Sequence, residues 1–186
     1  MCIRDSCYEP AALGDWLRQL QADPRPNRLL VTHGRAAQAI KAWFEHQNGR
    51  YPASAGHRSL SISYLPALTQ IDYDRLLWAC NLNFVRGEDS LVRAIWAGRP
   101  FIWHIYPQQD GAHEAKLMAF LDWLQAPASL RHFHRIWNGL GVHDTGAALP
   151  PIDLSGWTDC VHAARARLLA QPDLVTALLG FVAERR

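Results

Sequence analysis

An arginine, a glycine, two carboxylates and a serine stand in a row near the middle of the chain, as Arg86-Gly87-Glu88-Asp89-Ser90. A short apolar run precedes them, and a helical pattern comes directly after them. This order is typical of a strand whose carboxyl end leads into a helix N-terminus. The first backbone N–H groups of a helix have no intrahelical partner and therefore attract anions. The segment predicts a phosphate site.

Each residue type in this segment suits a diphosphate. Arg86 would donate charge-assisted hydrogen bonds worth about 1.5–3 kcal/mol each. Gly87 would let the backbone approach the ligand, and the N–H groups of Asp89 and Ser90 with the Ser90 hydroxyl would complete the contacts. The alternative is an ordinary capped helix, whose first-turn acids offset the helix dipole without any ligand. The spacing alone does not choose between them.

The carboxylates of Glu88 and Asp89 would repel a diphosphate unless their side chains turn elsewhere. One could accept a hydrogen bond from a ribose hydroxyl, and the other could orient a catalytic group across a cleft. Alternatively, both are simply acidic residues at a helix start.

Gln70 and Tyr73 precede the strand that ends at Arg86. An aromatic ring with an amide three residues earlier suits a nucleobase, because the ring stacks and the amide pairs with the base edge. Such stacking is worth roughly 1–3 kcal/mol per base. The alternative is a tyrosine buried in a helix.

Strand-like and helix-like segments alternate along the chain. Strands are predicted at residues 28–32, 60–65, 82–85 and 100–106, and helices at 10–20, 34–44, 73–78, 88–96, 113–125, 130–140, 156–170 and 172–184. Alternation of this kind predicts an α/β fold with a Rossmann-like parallel sheet and helices on both faces. Such sheets bind ligands outside the carboxyl ends of their strands, where the segment from Arg86 to Ser90 is expected to lie.

The expected domain organisation has three parts. Residues 1–6 fit poorly with the rest of the sequence and are interpreted as a non-native leader without fold information. Residues 7–170 are expected to form the ligand-binding domain, and residues 171–186 a C-terminal helix.

Composition excludes several classes of protein. A net charge of +2 is too small to indicate a nucleic-acid or membrane surface, and no apolar run approaches a membrane span. The four cysteines lack zinc spacing, and the alternation of His132 and His134 does not place both rings on one helix face. Dinucleotide, P-loop and serine-hydrolase motifs are absent from the sequence.

Four tryptophans lie on apolar helix faces and are predicted to be core: Trp16, Trp43, Trp96 and Trp123.

A longer stretch of sequence carries a resemblance to a known family. The segment Tyr73-Asp74-Arg75-Leu76-Leu77-Trp78-Ala79-Cys80 leads into Asn83 to Ser90, and the pattern continues through residues 92–94, 96–98 and 100–108 to His113 and Lys116-Leu117. This pattern resembles the elongation factor P maturation arginine rhamnosyltransferases, the EarP family. The resemblance spans about residues 7–186 and is strongest at residues 65–121.

The resemblance implies the C-terminal half of a two-domain GT-B glycosyltransferase. Members of the family transfer L-rhamnose from dTDP-β-L-rhamnose to an arginine of elongation factor P with inversion. It implies that thymine lies against Tyr73 beside Gln70 and Tyr8. It also implies that Arg86, Asp89 and Ser90 hold the ribose-diphosphate end, with Gly87 between them, and that Glu88 supports catalysis.

The chain departs from the family pattern at four positions. Ser6 stands where a second stacking Phe is usual, Asn81 where Asp is usual, Leu91 where Phe is usual and Ile95 where Gln is usual. The half of the family that carries the proposed general base has no match here. We therefore expect a cytoplasmic donor-binding part, inactive alone, with no cofactor or metal, whose partners are dTDP-rhamnose and elongation factor P. The alternative is a stand-alone nucleotide-sugar-binding or protein-interaction module without catalysis.

Overall fold

The computed structural model describes residues 1–5, 7, 9–47, 59–140 and 149–185. Five strands and eight helices lie within these ranges. The strands are β1 (Cys2–Asp5), β2 (Asn27–Val31), β3 (Leu60–Tyr64), β4 (Leu82–Arg86) and β5 (Phe101–His104). The helices are α1 (Leu13–Ala22), α2 (Arg35–His46), α3 (Gln70–Ala79), α4 (Glu88–Ala97), α5 (Ala112–Leu124), α6 (Ala128–Trp137), α7 (Leu154–Leu169) and α8 (Leu174–Ala183).

The five strands form one parallel sheet in the order β3-β2-β1-β4-β5. β2 and then β3 are added on one side of the central strand β1. The chain then crosses to the other side of β1, where β4 and then β5 are added. Right-handed crossovers therefore place α1 and α2 on one face and α3 and α4 on the other. The predicted Rossmann-like α/β fold is confirmed.

Residues 2–5 form the central strand of this sheet, which differs from the expectation that the fold begins at Cys7. β1 pairs with β2 on one side and β4 on the other, and its side chains from Ile3 to Asp5 are buried. Charged residues are rarely buried in a central parallel strand, so a segment that contains Arg4 and Asp5 does not predict one. That residues 1–6 are non-native stays a prediction.

An aromatic cluster joins the sheet to the helices on the α1 face. The ring of Trp16 on α1 lies 4.4 Å from Phe84 on β4, and Phe84 lies 4.5 Å from Trp137 on α6, measured between centroids. The prediction that four tryptophans are core is wrong for two of them. Trp96 and Trp123 are 42% and 39% exposed, since each lies at the outer edge of its helix.

His134, from the rejected metal pair, has a structural role on α6. Its Nε2 accepts a hydrogen bond from the backbone N–H of Trp103, and its Nδ1 lies 3.0 Å from the carbonyl oxygen of Leu130. Burial lowers the pKa of His134 to about 4, so the ring is neutral at physiological pH and ties α6 to β5.

The C-terminal helix α8 presents apolar side chains to solvent. Leu174, Val175, Leu178, Leu179, Phe181 and Val182 are each at least half exposed. Among the described residues, no single helix is long and apolar enough to cross a membrane; α7 and α8 together reach the required length and composition but bend by 48° at their junction.

Candidate functional site

The carboxyl edge of the sheet carries the described residues of the predicted site. β4 ends at Arg86, α4 begins two residues later, and α3 begins at the same edge with Gln70. Helices that cross between parallel strands run opposite to them, so the first turns of α3 and α4 both face this edge. Tyr8, the remaining predicted ligand of the base, lies outside the described residues.

Gly87 makes the turn from β4 into α4. Its backbone has φ +70° and ψ 167°, a conformation that residues with a Cβ rarely adopt, which explains the glycine. Gly87 is also the N-cap of α4, and a glycine offers no side-chain oxygen to the first turn. Space around its Cα is open, since a Cβ built there would meet no atom within 4 Å. The backbone at the start of α4 is therefore accessible to a ligand.

Both first-turn carboxylates are engaged by cations from other turns. Glu88 Oε1 accepts a hydrogen bond from Lys116 Nζ on α5 at 2.6 Å, and Asp89 Oδ2 accepts one from Arg93 Nε at 2.8 Å. The bond from Lys116 holds the pKa of Glu88 below its ordinary value, so Glu88 is ionised at neutral pH. The repulsion that these carboxylates would exert on a diphosphate is thus offset by two neighbouring cations.

Arg86 lies beside a histidine at the ends of the two neighbouring strands. Its register partner across β4 and β5 is His104, which is buried. Burial and the positive charge of Arg86 lower the pKa of His104 to about 4. The imidazole is therefore neutral at physiological pH, and Arg86 is the cation of this pair.

Tyr73 is half-buried on α3, one turn after Gln70, which is exposed. A cation covers the Tyr73 ring: the Cζ atom of Arg4 lies 4.1 Å from the ring centroid, and Arg4 Nη2 donates a hydrogen bond to the phenol oxygen at 2.7 Å. A base that stacks on Tyr73 in this conformation must use the ring face opposite Arg4.

Sequence reasoning missed four residues that shape this edge. Lys116 and Arg93 hold the two carboxylates, Asp74 accepts from Arg93, and His104 adjoins Arg86. The spacing of four between Asp89 and Arg93 on a predicted helix was an available signal. No comparable signal pointed to Lys116, which is 28 residues away from Glu88.

The fold and this edge together define a Rossmann-like domain with a candidate anion site where β4 meets α4. In the described ranges, no group of three or more His, Cys, Asp and Glu side chains is arranged to hold a metal ion. Residues 3–183 match the family described as Elongation-Factor P (EF-P) rhamnosyltransferase EarP. The chain belongs to the EarP family.

Individual relatives agree with this assignment. The chain is 46% identical over 184 residues to a protein-arginine rhamnosyltransferase of Pseudomonas aeruginosa, covering 95% of this chain and 49% of that protein. It is 41% identical over 187 residues to the corresponding protein of Pseudomonas putida, covering 94% of this chain and 48% of the relative. The chain therefore spans about half the length of these curated relatives.

A solved structure of the family has the same fold. It belongs to work described as the structural basis for EarP-mediated arginine glycosylation of translation elongation factor EF-P. The two folds superpose with a TM-score of 0.76 at 36% sequence identity, covering 99% of this chain and 60% of the solved chain.

Proposed function

We propose that this chain is the donor-binding part of a protein-arginine rhamnosyltransferase of the GT-B type. The observation that carries the proposal is the Gly87 turn, which presents Arg86 and the start of α4 at the carboxyl edge of a sheet in an EarP family member. The reaction proposed for the whole protein is transfer of L-rhamnose from dTDP-β-L-rhamnose to an arginine of elongation factor P, with inversion, in the cytoplasm.

The proposed binding mode divides the donor between two turns. The thymine lies against Tyr73 beside Gln70 and Tyr8, and the ribose-diphosphate end lies against Arg86, Asp89 and Ser90. Negative charge develops on the dTDP diphosphate as its bond to rhamnose breaks. Arg86 and the first N–H groups of α4 stabilise that charge better than they stabilise the intact donor, which lowers the barrier.

Glu88 supports the reaction as an ionised carboxylate. Because its pKa is depressed by Lys116, it does not donate a proton at neutral pH. Inversion also needs a base that helps the arginine nitrogen attack, and we place that base in the half of the relatives that this chain does not span. The isolated chain is therefore proposed to bind the donor without turning it over.

Calorimetry with two nucleotide sugars tests this proposal. The chain is expected to bind dTDP-rhamnose at least ten times more tightly than UDP-glucose, which differs in its base, its pentose and its transferred sugar. Titration with dTDP alone separates the contribution of the nucleotide from that of the transferred sugar, because it retains the thymine and the diphosphate. Equal affinity for the two sugar nucleotides, or no binding of either, would defeat the donor assignment.

A further inference from the structure

Arg93 connects the two turns between which the donor is proposed to be divided. Its Nη1 donates to both carboxylate oxygens of Asp74, at 3.2 and 2.9 Å, and its Nε donates to Asp89 Oδ2 at 2.8 Å. Asp74 directly follows Tyr73 on α3, and Asp89 directly precedes Ser90 on α4. One guanidinium therefore ties the helix that carries Tyr73 to the helix that carries Ser90.

This ion network differs from an ordinary surface salt bridge, which contributes about 0–1 kcal/mol. The side chains of Arg93 and Asp74 are only 32% and 30% exposed, and the exposed indoles of Trp78 and Trp96 border the same shallow depression. Asp74 and Asp89, on different helices, both accept hydrogen bonds from the planar guanidinium of Arg93. The planar group fixes the direction of these bonds as well as their length. Asp89 is 75% exposed, so its orientation depends on this bond rather than on packing.

We infer that Arg93 is a positioning residue for the donor site, an inference that rests on the proposed function. By holding Asp74 and Asp89 together, Arg93 sets the distance between Tyr73 on α3 and Ser90 on α4. A ligand that contacts both turns gains affinity from that fixed distance, because the second contact then forms without further ordering. A ligand that contacts one turn gains nothing from it.

The substitution Arg93→Gln tests this role with two ligands, dTDP and thymidine, titrated by NMR. The Kd of dTDP is expected to rise five- to tenfold, while the Kd of thymidine, which lacks the diphosphate, stays within twofold. Arg93→Lys keeps the charge without the planar fork and is expected to recover part of the loss. Arg75→Gln is the matched control, because it removes an ion pair with Asp72 within α3 and is expected to change neither Kd.

A second comparison keeps the test decisive if Arg93→Gln unfolds or thymidine binds too weakly to titrate. Asp74→Asn weakens the bond between the helices and leaves Arg93 paired with Asp89, and it is expected to weaken dTDP binding about threefold or more. Equal weakening of both ligands, or unchanged dTDP affinity in Arg93→Gln or Asp74→Asn, would overturn the inference. If the parent chain binds no dTDP, the proposed function fails and this inference fails with it. If the parent chain binds dTDP and the variants bind it equally tightly, only the role of Arg93 is refuted.

Discussion

At the scale of single residues, the proposed anion site depends on one backbone conformation and one cation. The positive φ of Gly87 turns the chain so that Arg86 and the start of α4 meet at the same edge. The residue types and their order predicted this arrangement, because an apolar run that ends in arginine and glycine before a helical pattern is typical of a strand leading into a helix N-terminus. The partners of the carboxylates were not predictable in the same way, since Lys116 reaches Glu88 only through the packing of α5 beside α4.

Replacing Arg86 with glutamine is expected to weaken dTDP binding by tenfold or more. A charge-assisted hydrogen bond contributes about 1.5–3 kcal/mol, and each 1.4 kcal/mol is a factor of ten in Kd. Calorimetry measures the change, with Arg25→Gln as the control because Arg25 pairs with Asp23 in an exposed turn before β2. An Arg86→Gln variant that binds dTDP as tightly as its parent would exclude Arg86 from the site.

At the scale of elements, the sheet was predictable except for its central strand. β2, β4 and β5 are recognisable as short apolar runs and β3 by its alternation, and helices between them force a parallel arrangement. β1 has only Ile3 as a large apolar residue within a charged segment, and it forms because neighbours on both sides pair with its backbone. Tertiary context overrode local sequence there.

The buried carboxylate of Asp5 makes this strand sensitive to pH. Burial raises the pKa of Asp5 from 3.8 to about 6, although the N–H of Cys7 and the charge of Arg4 oppose the rise. A group whose folded pKa is raised stabilises the fold below its unfolded pKa and loses that contribution as pH rises through its folded pKa. The free energy of unfolding should therefore lose on the order of 3 kcal/mol at this site between pH 4 and pH 6.

The substitution Asp5→Asn removes this loss while keeping an oxygen that accepts from the N–H of Cys7. Urea unfolding is expected to show the variant more stable than its parent at pH 8, with the difference shrinking toward pH 4. The difference in unfolding free energy between variant and parent does not contain the contribution of His134, which is the same in both. That contribution has the opposite pH dependence, because the folded pKa of His134 is lowered. The exposed Asp159→Asn is the control, and a pH-independent difference for Asp5→Asn would contradict the explanation.

At the scale of the whole molecule, the described residues include a proposed donor edge and an apolar helix, α8, whose large side chains are exposed. The side chains of α8 are 50–74% exposed over six large apolar residues, a kind of surface that commonly marks a contact with another body. The alternation of strands and helices predicted the overall architecture correctly. The apolar pattern of α8 alone does not predict its exposure, because an apolar helix looks the same in sequence whether or not something packs against it.

Mapping dTDP onto the chain by NMR tests the donor site most directly. A cavity of about 410 Å³ lies away from the proposed site, at the amino edge of the sheet between Gln19, Arg25 and Asp153. On titration of the ¹⁵N-labelled chain with dTDP, the amide signals from Gly87 to Ser90 and of Tyr73 are expected to shift together and saturate at one equivalent. Shifts confined to the cavity at the amino edge, or no shifts between Gly87 and Ser90, would contradict the assignment of the carboxyl edge as the place where the donor binds.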